Sequence, residues 1–143
     1  MMRTKTSRWS IALVASLAIG SCAKDQQSGV PPTFVDITIN VNLPAYADIA
    51  VPGGWVYLTG GAQGLIVYRR STDEFTALDR FCTYQPQNAC KVVVNSDQIT
   101  ASDTTCCHST FSIVDGAVTH VPATIALKSY HTLFNGTTLR IYN

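Results

Sequence analysis

Charge is scarce in this sequence and nearly balanced, with 10 lysines and arginines against 9 aspartates and glutamates and a net charge of +1. No run of lysines or arginines occurs, so a nucleic acid or other strongly charged partner is not expected. Helical periodicity is almost missing. The acids Asp36, Asp48, Asp73, Glu74 and Asp79 form no recognisable catalytic pair, and no serine sits in a nucleophile elbow, so hydrolytic chemistry finds no footing. Gly53-Gly54 and Gly60-Gly61 read as turn glycines, and no loop is built to cradle phosphate. The one long apolar run, Ile11 to Ile19, is too short for a stop-transfer helix. There is no internal repeat.

That apolar run has a context. Arg3, Lys5 and Arg8 precede it, and Gly20-Ser21-Cys22 follow it, which is the layout of a secretory signal. Ile19-Gly-Ser-Cys22 resembles a bacterial lipobox, which implies cleavage before Cys22 and a lipid on its sulfur and amine. An uncleaved N-terminal anchor is the alternative. The expected organisation is a lipoprotein signal peptide over 1–21, a lipidated Cys22 with a polar, flexible tether over 22–33, and one domain over 34–143. The expected location is the cell envelope, facing the periplasm, on the outer membrane rather than the inner. The membrane is then a partner through the lipid, and an envelope protein is the other partner expected.

Apart from Cys22, four cysteines remain: Cys82, Cys90, Cys106 and Cys107. In an exported chain an even number reads first as disulfides, with three possible connectivities. The same four in the cytosol would lean toward metal, although no C-x-x-C spacing is present for a zinc site drawing on Cys82, Cys90, Cys107 and His108.

The rest of the sequence is written in short strands. Phe34 to Leu43 alternates apolar and polar residues, as a half-buried strand does. Trp55–Thr59, Leu65–Arg69, Glu74–Asp79, Lys91–Val94 and Thr138–Tyr142 are β-branched or aromatic runs bounded by glycine, asparagine and aspartate. Phe111–Val114 and Ala117–Thr119 flank Asp115-Gly116, a two-residue hairpin signal. Asn135-Gly136 reads as another turn, although Asn135-Gly-Thr137 also spells a glycosylation sequon. Pro122 to Tyr130 reads as extended chain crossing the domain. These runs predict an all-β fold, a small antiparallel sandwich or barrel. Tyr46, Trp55, Tyr57, Tyr68 and Tyr84 suit either an aromatic binding patch or core packing. His120 and His131 are isolated and read as surface residues or as satisfied strand residues.

From about Trp55 to Tyr142 the chain resembles a Rieske iron–sulfur domain, closest to Rieske-like lipoproteins of Bacteroidetes-type bacteria. The resemblance rests on two cysteine loops, the second followed by "STFSIVDGAV" and then "PATIALKSY". In a Rieske centre two cysteines hold one iron and two histidines the other; the family's loops read C-x-H and C-x-x-H. On that pattern Cys82 keeps its ligand, Tyr84 replaces a histidine, Thr104 replaces a cysteine and Cys107 replaces a histidine. His108 stands where the family has glycine. The resemblance therefore implies the fold and argues against the ordinary cluster.

It also implies a pairing. Some Rieske domains staple their two loops with a disulfide, whose positions fall at Cys90 and Cys106. Cys82 and Cys107 are left on former ligand positions facing one site, so a second bond between them is expected. Each bond is worth roughly 3 kcal/mol in the chain-entropy picture. The expected protein has no cofactor and acts as a binding or structural module, not a catalyst. The alternative is an electron carrier with a rearranged [2Fe–2S] cluster on Cys82, Cys106, Cys107 and His108. Vicinal residues of an extended segment face apart, which weighs against both cysteines serving one cluster. A reactive Cys107 thiol beside the His108 imidazole is a third reading, weakened by the same geometry.

Overall fold

The computed structural model describes residues 29–143, and these build ten strands. They are β1 (Asp36–Asn40), β2 (Trp55–Leu58), β3 (Leu65–Arg69), β4 (Phe75–Asp79), β5 (Val93–Val94), β6 (Thr100–Ser102), β7 (Thr110–Ser112), β8 (Val118–His120), β9 (Ser129–Phe134) and β10 (Thr138–Tyr142). The expected signal peptide, Cys22 and the first part of the expected tether lie outside the described residues. Residues 29–33 lie against the domain: Val30 is buried, and Thr33 Oγ1 is 3.4 Å from the Tyr130 hydroxyl.

The first sheet has six strands in the order β1-β10-β9-β4-β3-β2, and the second has four in the order β5-β6-β7-β8. Every pairing is antiparallel, which is the all-β fold expected. The six-stranded sheet curls into a half-barrel. Its outermost strands contribute to one core, where Ile39 and Val41 from the β1 side meet Val56 of β2, Leu65 and Val67 of β3, and Leu139 and Ile141 of β10.

The middle of this sheet is apolar on both faces. Leu65 and Val67 enter the first core, while Ile66 between them enters a second core with Leu78, Cys82, Val92, Phe111 and Ile113. A strand pleat sends neighbours to opposite sides, so a strand covered on both faces must be apolar at every position. That is why Leu65-Ile-Val67 carries no polar interruption. The second core fills the space between the two sheets, directly beneath both cysteine loops.

Two expectations differ in detail from the observed chain. The Asp115-Gly116 hairpin is present, but five residues join β7 to β8 instead of two. Ile113 is fully buried and its N–H donates to the Ile99 carbonyl (2.9 Å), which pulls the turn out of the tight two-residue form. Pro122 to Lys128 is irregular, and β9 begins at Ser129. β6 and β9 carry little alternating signal in sequence; they are strands because β7 and β10 pair with them. Asn135-Gly136 is a turn as expected, with Asn135 Oδ1 accepting from the N–H of Thr137 (3.1 Å) and Thr138 (2.7 Å).

Candidate functional site

Two loops at one end of the second core carry all four cysteines of the domain. The first leaves β4 and is pinned by an isolated antiparallel bridge between Phe81 and Lys91 and by the Cys82 N–H donating to the Cys90 carbonyl (2.8 Å). The second joins β6 to β7 and is closed by the Asp103 N–H donating to the Ser109 carbonyl (3.0 Å). A disulfide between Cys90 and Cys106 cross-links them, with Cα atoms 6.4 Å apart. This is the loop staple that the resemblance implied.

Cys82 and Cys107 are brought together but are not bonded: both are free thiols, with sulfurs 3.7 Å apart. Cys82 is wholly buried and Cys107 is partly open to solvent. Burial pushes the Cys82 thiol up to about 12, and the neighbouring Cys107 and Asp103 add to the rise. Cys106 and Cys107 lie in a turn between β6 and β7, not in an extended strand, and their sulfurs take different partners: Cys106 bonds to Cys90, and Cys107 meets Cys82.

Asp103 organises the second loop, a role the sequence reading did not assign. Its carboxylate is fully buried, and Oδ1 accepts from the N–H of Thr105 (3.0 Å) and Cys106 (2.9 Å). Oδ2 lies 3.3 Å from Cys107 Sγ. Burial alone would raise this carboxyl. The N–H groups of Cys106 and Thr105 and the thiols of Cys107 and Cys82 outweigh it and hold Asp103 below its ordinary value. Ser109 is the second group missed. It is buried, its Oγ is 3.0 Å from Cys107 Sγ, and the same oxygen accepts from the Ala123 N–H (2.9 Å). The signal available in sequence was the Asp-Thr-Thr start of the loop, since an aspartate commonly accepts from backbone N–H groups two and three residues on.

The other residues singled out in sequence stand apart. Thr104 and His108 are exposed, and His108 sits in the left-handed region at φ 59°. Tyr84 is half-buried and packs on the second core. The aromatic residues do not make one patch. Tyr46 packs on the first core, Trp55, Tyr68 and Tyr84 pack on the second, and Tyr57 takes the Val94 N–H on its hydroxyl (2.9 Å).

Among the described residues, the donors that converge apart from the disulfide are Cys82, Asp103 and Cys107. A Rieske centre needs two thiolates on one iron and two imidazoles on the other. This set has three donors and no imidazole. Sulfurs 3.7 Å apart match the edge of about 3.8 Å expected when two thiolates share one tetrahedral metal with 2.3 Å bonds. They do not span two irons. The residues present do not fit the Rieske cluster.

The two sheets and the two stapled loops at one end define a Rieske-like fold. The cyanobacterial plasma membrane Rieske protein PetC3 from Synechocystis PCC 6803 has a similar fold, with a TM-score of 0.56 at 20% identity, over 73% of this chain and 99% of that one. The ferredoxin of carbazole 1,9a-dioxygenase from Nocardioides aromaticivorans IC177 aligns with a TM-score of 0.49 at 17% identity, over 78% of this chain and 98% of that one. No protein-family profile and no curated protein sequence matches the chain.

Proposed function

We propose that this protein is an exported, lipid-anchored Rieske-like domain that has given up its iron–sulfur cluster and serves as a binding module at the cell envelope. The observation that carries the reading is the pair of sulfurs, Cys82 and Cys107, 3.7 Å apart where cluster ligands would stand. Tyr84 and Thr104 occupy the other two ligand positions, and neither supplies a soft or imidazole donor. The loops are then held by protein alone, through the Cys90–Cys106 bond and the Asp103 hydrogen bonds. A second bond between Cys82 and Cys107 belongs to the same reading, since a disulfide needs its sulfurs at about 2.05 Å and these are already in contact.

The test is composition. Protein purified without chelator, under both air and anaerobic conditions, is expected to lack stoichiometric iron and acid-labile sulfide and to have no visible absorption. Stoichiometric iron and sulfide with a visible chromophore would overturn the reading and establish an electron carrier with altered ligands. Anchoring has its own test. Wild-type protein is expected to fractionate with membranes after labelling with a fatty acid, and Cys22→Ala is expected to lose the label.

A further inference from the structure

We infer that Cys82 and Cys107 are a redox-active dithiol–disulfide pair, in which Cys107 exchanges with a disulfide on a partner molecule and Cys82 resolves the mixed disulfide. The inference rests on the cluster-free reading, because a cluster would occupy both sulfurs. It adds an activity to that reading.

Thiol–disulfide exchange needs two sulfurs in reach of each other and an unequal approach to solvent. Both conditions are met here. The sulfurs are 3.7 Å apart, Cys82 is 0% exposed, and Cys107 is partly exposed at the end of the domain. Of the two residues, Cys107 is therefore the one that a partner's disulfide meets first. The other two cysteines are already committed to each other, so they do not compete for the incoming sulfur. Cys107 is also held on a defined heading by Ser109 Oγ at 3.0 Å and Asp103 Oδ2 at 3.3 Å.

The chemistry balances with a disulfide as oxidant. Cys107 loses its proton to solvent and its sulfur attacks one sulfur of the partner's disulfide. The partner's bond breaks, and its other sulfur leaves as a thiolate that takes a proton from solvent. Cys82 then attacks Cys107 Sγ; the mixed disulfide breaks, and the departing partner sulfur takes up the proton that Cys82 gives up. Two electrons have moved from Cys82 and Cys107 to the partner, which ends as a dithiol. The reverse sequence regenerates the thiols at the expense of a reduced partner.

The probe is glutathione, with the full chain equilibrated across reduced and oxidised ratios, acid-quenched, alkylated and mapped by mass spectrometry. Cys82 and Cys107 are expected to switch together from alkylated to bonded, while Cys90–Cys106 stays intact. Cys82→Ala is expected to trap glutathione on Cys107 at least tenfold faster than Cys107→Ala traps it on Cys82. In folded, reduced wild type, which needs no substitution, iodoacetamide is expected to modify Cys107 at least tenfold faster than Cys82. A pair that stays fully reduced or fully bonded across the whole range overturns the inference, as do equal rates at the two sulfurs. Iron and sulfide assayed on the same sample separate the two readings. An iron-free protein with an inert pair defeats this inference alone, whereas a loaded cluster defeats the reading beneath it.

Discussion

Asp79 is acidic, wholly buried and fully occupied. Oδ2 accepts from the Ala62 N–H (2.7 Å) and the Tyr130 hydroxyl (2.8 Å), and Oδ1 from the N–H of Phe81 (2.9 Å) and Gln63 (3.2 Å). One carboxylate thus ties the β2–β3 turn, the start of the first cysteine loop and β9 together. Replacing it with alanine orphans two buried donors, the Phe81 N–H and the Tyr130 hydroxyl, each costing about 1–3 kcal/mol, and frees two part-buried N–H groups besides. Asp79→Ala is expected to lose at least about 3 kcal/mol by urea unfolding, and Tyr130→Phe about 1.5 kcal/mol. Two other residues set a pH response. Cys82 titrates at about 12 in the fold against an ordinary 9.0, and Tyr130 at about 12 against 10.0, both raised chiefly by burial. A raised pKa means that the folded state keeps its proton longer, so the stabilisation is complete below the unfolded value and is lost as pH rises toward the folded one. The reduced protein is expected to weaken progressively above pH 9. Protein with Cys82 in a disulfide is expected to begin that decline only above pH 10, from Tyr130. Urea midpoints measured across that range, with and without reductant, decide it.

Among the elements, the turn before β2 is the least forgiving. A Cβ on Gly54 would run into the Asp48 carbonyl, because the 3-10 turn Pro44–Ile49 is packed directly against the strand entry. The buried Arg69 guanidinium locks the same turn by donating to the carbonyls of Ile49 (3.0 Å) and Ala50 (2.7 Å). Gly54→Ala is expected to cost about 3 kcal/mol, the upper end for overpacking, with a lowered urea midpoint as the readout. Arg69→Lys keeps the charge but loses the fork that reaches several carbonyls at once, so it is expected to destabilise as well. The cysteine loops depend on a different device. Removing the Cys90–Cys106 bond in a double serine variant is expected to cost about 3 kcal/mol for a loop of this length. The fold is expected to persist, because the second core beneath the loops is retained.

The whole molecule depends on its longest-range pairing. β1 lies at the edge of the six-stranded sheet against β10, in the register Asp36↔Tyr142 to Asn40↔Thr138, and Val35, Ile39 and Val41 fill one side of the first core. A chain beginning after Asn42 would lose those side chains and leave β10 as a bare edge, which invites pairing with other chains. Such a truncation is expected to be insoluble or to unfold without cooperativity, as size-exclusion chromatography and a denaturant titration would reveal.

Sequence alone was enough for the all-β class, for most strands of the large sheet and for the turns at Asn135-Gly136 and Gly60-Gly61. Those features are local, since alternation, β-branching and turn chemistry act over a few residues. Sequence also divided the four cysteines correctly into two loops, and the Rieske resemblance named the Cys90–Cys106 pair. Tertiary structure decided what no short window contains. Thr100–Ser102 and Ser129–Phe134 are strands because neighbouring strands meet them. Asp79, Asp103 and Ser109 are polar residues whose roles exist only once distant donors and thiols are packed around them. The resemblance had already placed Cys82 and Cys107 on one site. The fold shows how they meet: 25 residues apart in sequence and 3.7 Å apart in space, one sealed and one partly exposed. Burial and juxtaposition belong to the packed chain, and they are what make those two sulfurs a candidate site.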